Sequence, residues 1–375
     1  MVPEGWLEGK VQNFLFLQRG FDLTQQNAEL GNVPVYSSSG LSYYHNEAKV
    51  KGPGIVTGRK GSVGPVYLVE GDFWPHDTTL WVKDFKGNDI HYIEYFLNYL
   101  KLERLDEASS VPTLNRANVH GIKCVFPPPQ EQQRIAKILS TWDKVIATTE
   151  QLLANSEQQK KALMQQLLTG KKRLPGFEWV WAELALGELF SERREIGISN
   201  LPLLSVTSEH GVINRNNVGR KDTSSADKSK YLRVCSGDIA YNTMRMWQGV
   251  SALSGLEGIV SPAYTVLQPN SGVDSRFAAY LFKLPEIVHR FYRHSQGLVS
   301  DTWNLKYKQF AKIKVFVPCA EEQAAIADVL AREDELLACI NEQLLQLTLE
   351  KKALMQQLLT GKRRVKLAET EPATA

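Results

Sequence analysis

The chain has 375 residues, which at roughly 100–200 residues per domain suggests two or three domains. Hydrophobic residues make up 43% and charged residues 23%, so real cores can form and a wholly disordered chain is excluded. Forty-four Lys and Arg against 41 Asp and Glu leave a net charge of +3, too small to mark a strongly basic nucleic-acid coat. No run of about 18 apolar residues occurs, so no membrane span is expected. The opening MVPEGWLEGK lacks the basic-then-apolar pattern of a secretory signal. Cys124, Cys235, Cys319 and Cys339 stand far apart with no C-x-x-C. Neither a zinc site nor a disulfide framework is expected, and a reducing cytoplasm fits best.

Residues 1–126 hold short β-type runs punctuated by glycine, at 33–36, 54–57, 66–69 and 79–82. A helical stretch at about 89–105, a polar loop and a last strand follow. Residues 131–169 then predict one long helix of roughly 58 Å at about 1.5 Å per residue. It starts after Pro127, Pro128 and Pro129, with Glu131 near its positive end. Ile135, Leu139, Trp142, Ile146, Thr149, Leu153, Ser156, Lys160, Leu163 and Leu167 give it a heptad stripe, polar in one stretch, which Ile138, Val145 and Leu152 widen. Gly170, the basic run Lys171, Lys172 and Arg173, and Pro175 stop it. From about 178 to 317 the β-type outline returns, with runs at 238–241 and 263–267 and a helical stretch at 274–292. A second long helix closes with Gly361, Lys362, Arg363 and Arg364.

The two long helices are copies. KKALMQQLLTGK runs from Lys160 to Lys171 and again from Lys351 to Lys362, an offset of 191 residues. The same offset pairs Glu131 with Glu322, Gln132 with Gln323, Ile135 with Ile326, Leu139 with Leu330 and Asp143 with Asp334. The chain is a tandem duplication. The expected division is 1–126, a first globular domain; 127–173, a helical spacer; 174–317, a second globular domain; 318–364, a second spacer; and 365–375, a disordered tail. Their net charges are −2, +4 and +4 for the first three and −3 for 318–375, so the two helical segments could attract one another weakly. The expected fold class is α/β: two globular domains separated by two long helices packed as an antiparallel coiled coil, in a pseudo-two-fold repeat. A nearly unchanged frame carrying diverged domains suggests two related readers tuned to different targets.

Catalytic motifs are missing. Gly54–Ser62 superficially resembles G-x-x-x-x-G-K-[ST], but the spacing fails by one residue and glycine follows the lysine. His45, His76, His91, His120, His210, His289 and His294 make no H-E-x-x-H and lie at no metal spacing to cysteine. G-x-S-x-G, a helix-opening G-x-G-x-x-G and the [DN]-P-P-[YF] of amino-methyltransferases are also missing. The chain is expected to be neither an enzyme nor the holder of a cofactor or metal. Its polar loops are the better place for function, because Asn, Gln, Arg, Ser and Thr are the side chains that read base edges. The loop at 58–62, with Arg59, Lys60 and Ser62, matches 242–248, with Asn242, Arg245 and Gln248. The loop at 109–116, with Thr113, Asn115 and Arg116, matches 300–306, with Thr302, Asn304 and Lys306.

PPPQEQQRIAKIL (127–139) with VPCAEEQAAIADVL (317–330), and the paired KKALMQQLLTGK runs, resemble the specificity subunit of a type I restriction-modification enzyme. RGFDL (19–23), VPVYSSSG (33–40), GIVTGRKGSVG (54–64) and WPHDTTLWV (74–82) look like one target-recognition domain, and SGDIAYNTMRMWQG (236–249) with GIVSPAYTVLQP (258–269) like another. MVPEGW (1–6) echoes LPGFEW (174–179). The resemblance covers essentially the whole chain and adds Arg19 and Ser38 to the DNA-contact candidates. It implies that each globular domain reads one half of a bipartite asymmetric site in double-stranded DNA, with the helices as a ruler. It further implies docking of two DNA methyltransferase subunits on the helices, for which Glu131, Gln132, Ile135, Glu322, Gln323 and Ile326 are the candidates. Those partners would bring S-adenosylmethionine, and restriction subunits would bring ATP and magnesium. A type IIB specificity subunit and a coiled-coil protein scaffold are the alternatives.

Overall fold

The N-terminal segment runs as β1 (Leu7–Lys10), the single turn α1 (Val11–Phe14) and β2 (Phe16–Arg19). It continues through β3 (Val33–Ser37), β4 (Gly40–His45), β5 (Gly54–Gly58), β6 (Val66–Val69), β7 (Trp74–Pro75) and β8 (Thr79–Asp84). Helices α2 (Ile90–Leu100) and α3 (Arg116–Gly121) and strand β9 (Lys123–Phe126) lead into the long α4 (Pro129–Leu167). Strands β2, β8, β5 and β6 form an antiparallel sheet in that order, β4, β3 and β7 form a second sheet, and β1 pairs with β9. Strand β5 has neighbours on both sides and is buried at every residue, which is why GIVTG carries no charge. Asp89 caps α2 by accepting from the Tyr92 amide, and Tyr92, Ile93, Phe96 and Leu97 form its buried stripe.

The same plan follows in the second half. It comprises β10 (Ala182–Ala185), α5 (Leu186–Leu189), β11 (Phe190–Glu192), β12 (Leu204–Thr207), β13 (Gly211–Asn214), β14 (Leu232–Val234), β15 (Ile239–Asn242), β16 (Ser251–Leu253), β17 (Gly258–Val260) and β18 (Tyr264–Pro269). Then come α6 (Ser275–Leu281), α7 (Pro285–His294), α8 (Tyr307–Phe310), β19 (Lys314–Val317) and the long α9 (Ala320–Leu359). The sheet β11-β18-β15-β16 and the pair β10-β19 repeat the first half's β2-β8-β5-β6 and β1-β9. Asp274 caps α6 as Asp89 caps α2. The single helical stretch expected at 274–292 is two helices, because Pro285 opens a new one at its first turn.

This computed structural model describes residues 2–106, 110–196, 200–207, 211–218, 227–298 and 302–365. Most of the expected tail, 366–375, lies outside the described residues. Among the described residues no helix is long and apolar enough to cross a membrane.

Two compact units divide the chain, and the division is not sequential. One takes in Met1–Gln151 and Glu342–Ala375, the other Leu152–Asn341. Within the first, Ile135, Ala136 and Leu139 from the start of α4 share a core with Leu358 and Leu359 from the end of α9. Further along, Asp143 pairs with Lys351, so the two helices run antiparallel there. Within the second unit, Leu167 and Leu168 from the end of α4 join Ile326, Ala327 and Leu330 from the start of α9, and Lys160 pairs with Asp334. Each globular domain is therefore closed by the end of the helix copy that follows the other domain. Burying a leucine contributes about 1.5–3 kcal/mol, so each pair of helix-end leucines adds about 3–6 kcal/mol to its unit.

Gly170 and Gly361 both adopt φ +71°, the left-handed stop expected after each helix. Thr149 and Ser156 do lie on the buried stripe of α4, and the Thr149 hydroxyl is satisfied by donating to the Val145 carbonyl at 2.9 Å. Val145 and Leu152, expected to widen that stripe, are instead 43% and 50% exposed. The inward face is narrower than the apolar pattern.

Candidate nucleic-acid interface

In the first unit, β5 ends at Gly58 and the chain folds back at once. A Cβ on Gly58 would stand 1.7 Å from the Ser62 carbonyl oxygen, so only glycine lets this loop close. The loop is then bonded to the second candidate loop: the Leu114 amide donates to the Arg59 carbonyl at 2.8 Å and the Gly61 amide to the Pro112 carbonyl at 2.9 Å. Leu114, buried in the core, anchors this junction. Arg19, Arg59, Thr113, Asn115 and Arg116 come together there, lining with Leu80 and Leu114 a cleft of about 380 Å³. Arg19 pairs with the Asp77 carboxylate at 2.8 Å, and Arg59 Nη1 donates to the Asp77 carbonyl at 3.0 Å. The Arg116 guanidinium lies 5.5 Å over the Phe16 ring. Three guanidinium groups held at one cleft suit phosphate oxygens or the O6 and N7 of guanine.

The remaining candidates of this unit sit beside the cleft. Lys60 and Ser62 are exposed on the closing loop. Ser38 approaches the same loop at Gly61, and its amide donates to the Thr78 hydroxyl at 3.3 Å. Asn115 spends its side-chain oxygen capping α3, accepting from the Ala117 amide at 3.0 Å.

The second unit builds the same junction. The Leu305 amide donates to the Thr243 carbonyl at 2.8 Å, and Leu305 is buried as Leu114 is. Arg245, Gln248, Thr302 and Lys306 are exposed around it. Asn242 and Asn304 are half-buried and shape the loops: the Asn242 side-chain oxygen accepts from the Met244 amide at 3.0 Å, and Asn304 Nδ2 donates to the Gln296 and Thr302 carbonyls at 3.2 Å each. Ser109, Ser300 and Asp301 of the expected loops lie outside the described residues.

The six residues expected to dock partners do something else. Glu131, Gln132, Ile135, Glu322, Gln323 and Ile326 are all at most 3% exposed and face inward. Glu131 accepts from Arg364 Nε at 2.8 Å and Nη2 at 2.9 Å, and from the Trp6 indole at 3.1 Å. Glu322 repeats this with Arg173 at 2.6 and 2.7 Å and Trp181 at 3.3 Å. Hydrogen bonding to the glutamate raises the pKa of both guanidinium groups. Gln132 accepts from the Asp89 amide at 2.8 Å and donates to the Pro127 carbonyl at 2.9 Å; Gln323 makes the same bonds to Asp274 and Pro318 at 3.0 and 2.9 Å. A buried carboxylate needs such partners, and a surface for another protein cannot be made of side chains already enclosed. The Glu-Gln pair is a lock that fastens each long helix to its own globular domain and to the end of the other helix.

Arg173 and Arg364 were visible as offset partners, 191 residues apart. Trp181 was not, because the echo of MVPEGW in LPGFEW pointed to Trp179. Trp179 is 75% exposed, and Trp181 holds the place of Trp6. Tyr95 and Tyr280 were missed as well. They donate to Asp143 at 2.7 Å and Asp334 at 2.5 Å, beside Lys351 and Lys160. Asp22, His76 and Asp77 could share an ion, but Asp77 already holds Arg19, and His76 Nδ1 lies 2.9 Å from the Thr78 hydroxyl.

Residues 3–158 match the family described as type I restriction modification DNA specificity domain. The chain is 27% identical over 338 residues to a putative type I restriction enzyme MjaX specificity subunit of Methanocaldococcus jannaschii, covering 81% of this chain and 76% of the relative. Its fold is similar to that of the type I restriction-modification S subunit from M. genitalium, with a TM-score of 0.59 at 16% identity, covering 96% of this chain and 99% of that one. The HsdS subunit from Thermoanaerobacter tengcongensis gives a TM-score of 0.53 at 14% identity, with 96% and 98% covered. Residues 3–158 thus carry a domain of that family, and the chain over most of its length is similar in sequence and in fold to type I restriction-modification specificity subunits.

Proposed function

We propose that each unit reads one half of a bipartite, asymmetric sequence in double-stranded DNA, and that the long helices fix the distance between the halves. One observation carries this reading: the same loop junction is built twice and presents different side chains. Arg19, Arg59 and Arg116 surround the first, and Arg245, Gln248 and Lys306 the second. A scaffold repeated in backbone and varied in side chains is what two unlike half-sites require. Half-sites about one helical turn apart would put both readers on one face of the duplex.

A net charge of +3 argues that partners share the phosphate contacts. Two methyltransferase subunits would carry S-adenosylmethionine and methylate adenine N6, and restriction subunits would carry ATP and magnesium, all in the cytoplasm. This chain would supply recognition and assembly. Val145 and Leu152 on α4 and Leu336, Leu345 and Leu349 on α9, all exposed, are better docking candidates than the enclosed Glu-Gln locks.

The ruler is tested by inserting four helical residues within 145–156 and four more within 336–347. About 6 Å of added helix should lengthen the spacer by roughly two base pairs while both half-sites stay unchanged. Altered half-sites would contradict it.

A further inference from the structure

The two reading surfaces differ in kind as well as in sequence. In the second unit Trp247 and Trp303 pack edge to face at 5.2 Å, and Trp303 packs on Tyr292 at 4.9 Å. The Trp247 indole N–H is already committed, donating to the Met244 carbonyl at 3.0 Å. Both indoles are half-buried, while Met244 and Tyr292 beside them are 49% and 41% exposed. These residues belong to the two joined loops and to α7, and exposed Arg245, Gln248, Thr302 and Lys306 flank them. In the first unit the 191-residue offset puts Pro112 in the place of Trp303, and guanidinium groups line the cleft.

We infer that the aromatic wall of Trp247 and Trp303 reads a thymine in the half-site of the second unit through its C5-methyl group. The inference rests on the DNA-reading proposal above. Among the groups that base pairs present in the major groove, the thymine methyl is the apolar one, and its natural complement is an apolar side chain. Interlocked indoles hold such a surface rigid before DNA arrives, so little side-chain entropy is lost on contact. The surrounding cations and amides suit phosphates and polar base edges, which favours DNA over an apolar protein partner as the occupant.

The test uses the chain assembled with its methyltransferase partner and a duplex carrying its mapped site. Each thymine is replaced in turn by uracil, which removes one methyl group and keeps every other groove contact. The expected result is a single position, in the second half-site, where uracil weakens binding about three- to fivefold, the worth of one buried methyl. Uracil in the first half-site should have no effect, and in Trp303→Ala the sensitive position should become indifferent to uracil. The wild-type comparison needs no altered protein, so a misfolded variant does not spoil it. A second half-site without thymine, or uracil tolerated everywhere by a complex that still selects its site, overturns the inference and leaves the DNA reading intact. Uracil tolerance together with loss of methyltransferase assembly in Trp303→Ala would make the wall a protein contact and overturn it too. A complex with no site preference at all overturns both.

Discussion

Replacing Leu167 by alanine should destabilise the second unit and leave the first unchanged, although Leu167 ends the helix that grows out of the first domain. Leu167 is 2% exposed and packs in the core that holds Phe277, Phe310 and Ile326. Truncating a buried leucine leaves a cavity and costs about 3 kcal/mol, roughly a 150-fold shift toward unfolding. Hydrogen exchange followed peptide by peptide should show faster opening in 186–317 and unaltered protection in 7–126. Leu358→Ala, 191 residues on, should do the reverse, because Leu358 lies in the core with Trp6, Phe126 and Ile135. Equal loosening of both units by either variant would mean that the helix ends do not belong to the cores in which they are buried.

Removing Arg364 is the second large effect. Its partner Glu131 is fully buried and receives two of its four hydrogen bonds from that guanidinium. Arg364→Ala leaves the carboxylate to the Trp6 indole at 3.1 Å and the Val365 amide at 3.3 Å, both weaker. An uncompensated buried charge costs about 3–5 kcal/mol, and the low end applies because Arg364 itself is 41% exposed. Arg364→Lys should recover only part of this, since an ammonium cannot reproduce the two-pronged contact. Adding Glu131→Gln to Arg364→Ala should recover more, by removing the charge. Urea unfolding of the four proteins, read by exchange in 7–126, measures each step. A loss below about 1 kcal/mol would reduce the lock to an ordinary surface pair.

Much of this architecture was legible in the sequence, and the reasons differ by element. The long helices stood out because a heptad stripe, a proline start and a glycine stop agree with one another. The first, expected over 131–169, is observed at Pro129–Leu167, and the second, Ala320–Leu359, ends two residues before the expected stop at Gly361. The strands at 33–36, 54–57, 66–69 and 79–82 appear within a residue or two, since glycine and apolar β-branched residues punctuate them. The loop candidates were found by matching outlines, and the structure does join the two loops of each unit.

What the sequence concealed was long-range pairing. A glutamate-glutamine pair on an amphipathic helix looks like a polar surface, and only the distant arginine and tryptophan reveal it as enclosed. The exit of each helix into the other domain's core was equally hidden, because heptad spacing names a buried face and not the partner that buries it. The identity of the two KKALMQQLLTGK runs now has part of its physical reason. Leu167, Leu168 and Gly170 do for the second unit what Leu358, Leu359 and Gly361 do for the first.

The most direct measurement is a genome-wide map of N6-methyladenine in a strain carrying this chain with the methyltransferase subunits proposed as its partners, and in the same strain with this chain deleted. The proposed pair of unlike readers predicts a split, asymmetric methylated motif that vanishes with the deletion. Identical maps in the two strains would contradict it.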